Sequence, residues 1–266
     1  MSAATTRTAP AGRGTQVASP TPAPARSGLR DAVAAEWIKL WSLRSTWWYL
    51  GGAAAIVVLT SLLESGDGDP TTLDAEGPVL AAVSYFVQYV LAVFGIVAIT
   101  GEIVTRSITV TMACTPRRTW IMIAKALVVG GVVLVASLLV TGGGLVLTAA
   151  RFDELSLLDG AQAGTALAAS VYLALLAVFS LGLATLVRRT AGALAIVLLL
   201  LLMVPELLRM LSERVGAAWI NTVGDWTPGP IGWRLMEGEW ADGLGLLAWA
   251  GAAIGSAIWV LRRRDA

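Results

Sequence analysis

The stretch WIMIAKALVVGGVVLVASLLVTGGGLVLTA, residues 120 to 149, decides the fold class. Lys125 is its only charged residue, and the other side chains are apolar or small. A helix rises about 1.5 Å per residue and bilayer hydrocarbon is about 30 Å thick, so about 20 such residues cross it. The stretch is therefore predicted to be a transmembrane helix, long enough to tilt or to project beyond the hydrocarbon.

Five further runs have the same character. Together the six predicted spans are roughly 46–63, 79–100, 120–149, 163–187, 191–208 and 243–261. The whole chain is 56% hydrophobic and 14% charged, whereas soluble domains carry about 25% charged residues. The predicted fold class is all-α: a polytopic membrane protein with six transmembrane helices.

The cations are distributed unevenly between the two sets of loops. If the N-terminus is cytoplasmic, 15 of the 19 lysines and arginines are on the cytoplasmic side, and the others are Arg151, Arg209, Arg214 and Arg234. The acidic residues are distributed in the opposite sense, which is a weaker indicator. By the positive-inside rule, we expect both termini in the cytoplasm and the chain in the plasma membrane.

The ends of the chain outside the spans predict two further segments. Residues 1–28 are rich in Ala, Thr, Pro, Gly and Ser and are predicted to be a disordered cytoplasmic tail. Residues 29–45 are predicted to form an amphipathic interface helix along the inner membrane surface. Its apolar face is formed by residues at helical spacing: Leu29, Val33, Trp37, Leu40 and Trp41.

The outer segment 206–242 joins the fifth and sixth spans. It starts as a helix and has a turn-rich centre, and its size is compatible with a re-entrant element. Its tryptophans recur every seven residues, as is typical of a membrane interface; they are Trp219, Trp226, Trp233 and Trp240.

A polar stretch, GEIVTRSITVTMACTPRRTW at residues 101 to 120, interrupts the apolar pattern between the second and third spans. It has three interpretations: a solvated loop that sets topology, a catalytic loop, or a docking element. Glu102 is its only carboxylate and the chain contains no histidine, which disfavours catalysis. The interpretation preferred here is a cytoplasmic docking element at 101–119.

Two sequence elements resemble the permease subunits of the ABC-2 type transporter family. The first corresponds to E-W-x-K-L-x-S-x-R-S-x-W-W and runs from Glu36 to Trp48. The second follows the second span and comprises Gly101-Glu102, Ser107-Ile108, Thr111, Pro116-Arg117-Arg118 and Ala124-Lys125. Arg106 and Thr109 depart from the family pattern, which usually has a small residue at the first position and often a cation at the second.

The resemblance implies an exporter subunit that contacts a separate ATP-binding subunit through a coupling helix within 101–119. The coupling residues would be Glu102, Arg106, Pro116, Arg117 and Arg118. The interface-helix residues would be Glu36, Trp37, Lys39 and Arg44. Gln88 would contact the substrate path, although a hydrogen bond between helices explains it equally well.

The expected partners and cofactors follow from the same resemblance. The chain would work as a homodimer, or a heterodimer with a similar permease, in contact with membrane lipids and not with nucleic acid. No Walker A pattern occurs, so ATP would bind the partner subunit and this chain would carry no catalytic, metal or cofactor site. The cargo would be hydrophobic or amphipathic.

Charges and glycines within the spans give further expectations. Lys125 and Glu206 lie near span ends and are expected to reach the interfaces by snorkelling. Gly251 and Gly255 form a G-x-x-x-G motif, expected to pack within the bundle or, alternatively, to form a dimer face. The scarcity of midplane charge favours ATP over an ion gradient as the energy source.

Two alternative functions stay open: a non-transporting scaffold or immunity protein, and an ion-coupled secondary transporter.

Overall fold

The computed structural model describes residues 28–64, 77–105, 118–151 and 160–263, and within these ranges every regular element is helical. Six helices are long and apolar enough to cross a membrane, which confirms the predicted fold class. The predicted tail 1–28, except for Gly28, and most of the loop 101–119 lie outside the described residues.

The described residues form nine helices, which follow in chain order. They are α1 (Leu29–Ser42), α2 (Arg44–Glu64), α3 (Gly77–Val104), α4 (Arg118–Arg151), α5 (Gly160–Val187), α6 (Thr190–Val215), α7 (Ala218–Asp225), α8 (Pro228–Met236) and α9 (Asp242–Arg263). The six membrane-spanning candidates are α2, α3, α4, α5, α6 and α9.

Helix α5 is the centre of the bundle. It packs against α3, α4 and α9, and 72% of its most apolar window is buried, compared with 17% for α6. Two glycines permit close approaches between helix backbones. A Cβ on Gly95 of α3 would lie 2.2 Å from the Ala177 carbonyl oxygen, and one on Gly182 of α5 would lie 2.7 Å from the Ala253 carbonyl carbon. Backbones this close leave no room for a side chain, so glycine is required at both positions.

Helix α6 extends seven residues beyond its predicted end at residue 208. Arg209 stabilises this extension because it pairs with Glu206 at 2.7 Å and with Glu213 at 2.8 Å, one helical turn away on either side. A π-helical turn, Leu199–Met203, precedes Pro205, which lacks the N–H that would continue the α-helical ladder. Gly229 of α8 packs close to the Leu201 carbonyl in this turn.

The outer segment forms two short helices and then enters α9. Helix α8 packs against both α5 and α9, with Ile231 and Leu235 fully buried. Gly232 lies against the Tyr172 ring, so close that a Cβ would be 2.1 Å from Cε2. The exposed tryptophans Trp219, Trp226, Trp233 and Trp240 are spread along this segment. Residues 228–236 are therefore part of the packed bundle and not a surface loop.

The G-x-x-x-G motif of α9 does not pack within the bundle, and that expectation was wrong. Gly251 and Gly255 are exposed, and a Cβ built on either meets no atom within 4 Å. The opposite face, with Ala253 and Ala257 buried, packs against α5 instead. Small residues lie on both faces of α9, but only one face can pack against α5. The face with the two glycines is therefore on the outer surface.

Candidate functional site

Four charged residues from three helices meet at the end of the bundle where α1 lies, called here the α1 end. Helix α1 packs on α4, and its Glu36 side chain is only 5% exposed. The Glu36 carboxylate accepts a hydrogen bond from Lys39 Nζ at 2.8 Å and another from Lys125 Nζ. Two ammonium groups therefore neutralise one buried carboxylate.

Lys125 extends the same network to α3. Its Nζ donates to Glu102 Oε1 at 2.9 Å and approaches the Ala98 carbonyl at 3.5 Å. Lys39 Nζ also reaches Glu102 Oε1, at 3.5 Å. Glu36, Lys39, Glu102 and Lys125, the ion-pair cluster, thus join α1, the last turn of α3 and the beginning of α4. The cluster contains two positive and two negative charges.

The expectation that Lys125 snorkels to an interface was wrong. The residue is 4% exposed and ion-paired with two carboxylates. It stays inside because Glu36 of α1 and Glu102 of α3 provide partners closer than the solvent. Glu206, in contrast, is 55% exposed and pairs with Arg209 on its own helix.

The two charged groups of α1 have shifted pKa values. Burial tends to raise the pKa of Glu36, but the charge and hydrogen bond of Lys125, together with Lys39, hold this pKa below its ordinary value. Burial tends to lower the pKa of Lys39, but hydrogen bonding to Glu36 and attraction to Glu36 and Glu102 raise it. Both shifts favour the charged forms of Glu36 and Lys39, so these two residues form an ion pair at neutral pH.

A cavity of about 460 Å³ adjoins the ion-pair cluster. All four charged residues line it, together with residues from the α1–α2 connection such as Ser42 and Ser45. The second oxygen of Glu102, Oε2, is buried and accepts no hydrogen bond from the described residues. The cavity is lined by residues of both the predicted coupling element and the predicted interface helix.

The structure brings together three of the predicted site residues: Glu36, Lys39 and Glu102. Trp37 is half-exposed and forms an edge contact with Trp41, with ring centroids 5.6 Å apart. Arg44 is exposed at the start of α2. The remaining coupling residues are at or beyond the edge of the described ranges. Arg106, Pro116 and Arg117 lie outside the described residues, and Arg118 is the first residue of α4.

Gln88 is buried at the contact between α3 and α5. Its side-chain oxygen accepts a hydrogen bond from the Tyr172 hydroxyl, and its amide donates to the Ser84 carbonyl. Tyr172 is fully buried and also contacts α8 through Gly232. In this conformation Gln88 holds two helices together, and a contact with a substrate would require the Tyr172 bond to open.

Lys125 is the site residue that sequence reasoning missed. One signal identifies it: it is the single charge in a 30-residue apolar run, and a charge in such a run needs a partner. Its partners could not be read from spacing, since Glu36 is 89 positions away.

Comparison with known proteins adds no family or relative to this geometry. No protein-family model and no curated protein matches the chain. The structure by itself supports a multi-span helical membrane protein with a buried ionic cluster at one end.

Proposed function

We propose that this chain is the permease subunit of an ABC exporter of the ABC-2 type. The single observation that supports this function most is the ion-pair cluster. Glu102 lies in the last turn of α3 and Lys125 lies near the start of α4. These are the two helices that the polar segment 106–117 connects, and the two residues form an ion pair. Glu36 attaches α1 to the same point. The ion pairs therefore join α1 to the two helices that flank the polar segment.

Buried ion pairs suit such a junction because they resist separation. Removing one partner from a buried pair costs about 3–5 kcal/mol, since the other charge is left without compensation. A force applied to α1 or to the 106–117 segment would move α3 and α4 together rather than be absorbed by a loose loop. Helix α5 contacts both, so the movement would reach the centre of the bundle.

The force would come from a separate ATP-binding subunit, because this sequence carries no Walker A motif. ATP-driven closure of two such subunits would push on the segment 101–119 of two permease chains, this one and an identical or similar copy. The path between the permeases would take a hydrophobic or amphipathic cargo from the cytoplasmic side.

An ion-coupled transporter is the less favoured function. Its coupling residues are usually near the bilayer midplane. Lys125 is six residues from the start of its span and Glu102 two residues from the end of its own, and their charges are balanced within the cluster. The cluster is built to join helices and does not offer an unpaired midplane charge.

Co-purification tests the proposal. The chain would be tagged and co-expressed with candidate ATP-binding subunits from the same genome, and then solubilised in mild detergent. We expect a stable complex whose ATPase activity changes when the permease is present. A variant combining Glu102→Ala, Arg117→Ala and Arg118→Ala should weaken the complex at least tenfold, while Glu206→Ala, at the other end of the bundle, should not.

Two results would contradict the proposal. A complex that forms without altering ATPase activity, and gives no ATP-dependent transport in vesicles, would favour a scaffold or immunity protein. Transport that survives ATP depletion and collapses with the ion gradient would identify a secondary transporter.

A further inference from the structure

An apolar groove runs along the side of the bundle between α4 and α5. It has a volume of about 470 Å³, is open to the outside, and shares no lining residue with the cavity beside the ion-pair cluster. Its walls come from both helices, and Ile254 of α9 contributes at one side; Gly130 and Gly131 form part of its floor. Every lining residue is apolar or glycine. The occupant of such a groove in a membrane protein must be apolar where it touches these walls.

The dimensions of the groove fit one acyl chain. Its lining on α4 extends from Ile123 to Leu134, which corresponds to about 17 Å along the helix and is close to one leaflet, half of the roughly 30 Å of hydrocarbon. Dividing the volume by this length gives a cross-section of roughly 30 Å², about 6 Å across. A packed helix is about 10–12 Å wide, so a helix of a second copy would lie over this groove rather than fill it.

A cationic side chain, Arg262, lies at the α1 end of the groove. Thr119 is one helical turn from Ile123 on α4, and Arg262 is two turns from Ile254 on α9. The exposed Arg262 guanidinium donates to the Thr119 hydroxyl at 2.9 Å, which closes the groove with a positive charge. A guanidinium has five N–H donors in an arrangement suited to phosphate, and Thr119 engages one Nη.

Neighbouring residues indicate that this level corresponds to the lipid headgroups. Trp259 is half-exposed, and the Arg263 guanidinium lies 4.0 Å from its ring centroid. Tryptophan and arginine near the end of a span are typical of the membrane–water boundary. The chain thus presents an acyl-sized groove whose mouth carries a cation at headgroup level.

We propose that this groove binds an anionic phospholipid, with one acyl chain between α4 and α5 and the phosphate at Arg262. Charge complementarity selects an anionic headgroup over a neutral zwitterionic one. The cation bias of the sequence puts this end in the cytoplasm, where the leaflet is rich in anionic lipid. The bound lipid would join α4, α5 and α9, the helices that line the groove. This inference does not depend on an ATP-binding partner.

The test compares lipid retention by purified variants. Each protein would be incubated in detergent with phosphatidylcholine vesicles that either contain or lack phosphatidylglycerol, repurified, and analysed for bound lipid by native mass spectrometry. Gly131 lines the groove and a Cβ built on it meets no atom within 4 Å, so Gly131→Leu introduces a side chain into the groove without a clash at its Cβ. Arg262→Gln removes the charge from an exposed side chain.

Matched controls separate the site from general effects. Gly143→Leu adds the same side chain to α4, also in open space but outside the groove. Arg263→Gln removes the same charge one residue further along. We expect phosphatidylglycerol retention to fall at least tenfold in Gly131→Leu and in Arg262→Gln. The stabilisation of the protein against thermal unfolding by phosphatidylglycerol should fall with it. Both controls should match the unaltered protein.

Several outcomes would overturn the inference. Equal retention of phosphatidylcholine and phosphatidylglycerol would remove the role of Arg262. Retention that Gly131→Leu leaves unchanged would put the lipid elsewhere. If Gly131→Leu instead dissociated an oligomer without changing lipid retention, the groove would be a contact between copies of the chain.

Discussion

Lys125 carries a charge within a helix that is otherwise apolar, and its environment explains how that is tolerated. Two carboxylates contact its ammonium group, and each comes from a different helix. Burying a charge without a partner is strongly unfavourable, whereas a paired and hydrogen-bonded charge is acceptable. The residue therefore makes the position of α1 depend on the positions of α3 and α4.

Removing the Lys125 charge should detach α1. Lys125→Met leaves Glu36 buried with only the half-exposed Lys39 as partner, so we expect a loss of about 3 kcal/mol in the docking of α1. Limited proteolysis within residues 29–42 measures this as faster cleavage. The double variant Glu36→Gln/Lys125→Met removes both charges and should recover most of the protection. Cleavage no faster than in the unaltered protein would show that the cluster does not hold α1.

The docking of α1 should also depend on pH in a defined way. The folded pKa of Glu36 is lowered, so its stabilisation is complete above its ordinary value of 4.5 and is lost as the pH falls through the folded value, below 4.5. The folded pKa of Lys39 is raised, so its contribution is complete below 10.5 and is lost only at higher pH. Fluorescence of Trp37 and Trp41 should be constant between these limits.

A matched variant identifies the group that titrates. In Glu36→Gln the change in fluorescence below pH 4.5 should disappear, while Glu206→Gln should retain it. A transition near pH 6 or 7 would contradict the assignment.

At the scale of elements, α1 shows how ion pairs add to an amphipathic pattern. The sequence predicts Leu29, Val33, Trp37, Leu40 and Trp41 as its apolar contact face. In the structure Leu40 is buried and Val33 and Trp41 pack against the core, but Trp37 is 49% exposed and the charged Glu36 is buried. The ion pairs with Lys125 and Glu102 rotate the helix so that a charged residue faces the bundle. Hydrophobic periodicity alone gives no information about such pairs.

The contact between α3 and α5 should be intolerant of any side chain at Gly95. Gly95→Ala puts a Cβ within 2.2 Å of the Ala177 carbonyl oxygen, a backbone atom that cannot rotate away. Forcing the helices apart should destabilise the fold by about 1–3 kcal/mol, which thermal unfolding in detergent would measure. Gly142→Ala, whose Cβ meets no atom within 4 Å, is the control and should be neutral or stabilising. Equal behaviour of the two variants would refute the close packing.

For the whole molecule, the outer face of α9 is one of the surfaces that the described helices leave uncovered. Gly251 and Gly255 lie there with open space above them. If the chain works as a pair of permeases, this small-residue face permits the backbones of two copies to approach. It is the alternative that the sequence left open for the motif.

Enlarging both glycines should therefore separate two copies without unfolding either. In Gly251→Leu/Gly255→Leu we expect a shift from dimer to monomer, measured by light scattering after solubilisation in mild detergent, with an unchanged melting temperature. Gly143→Leu, also in open space, is the control. A dimer that survives the double substitution would put the interface on another helix.

The sequence by itself determined that this is an all-helical chain with six spans, and it located each span to within a few residues except at the end of α6. The reason is local: inside hydrocarbon every backbone group must be satisfied within its own helix, so length and apolar composition suffice. The end of α6 was missed because pairs such as Glu206–Arg209 continue the helix after the apolar run has ended.

Only the tertiary structure decided which faces of these helices meet. Lys125 pairs with Glu36 rather than with solvent, Gln88 bonds to Tyr172, and Gly251 faces outward while Gly182 faces Ala253. These choices depend on the rotation of each helix about its axis. In a span that is apolar on all sides, no residue pattern sets that rotation; the packing of neighbours far apart in the chain does.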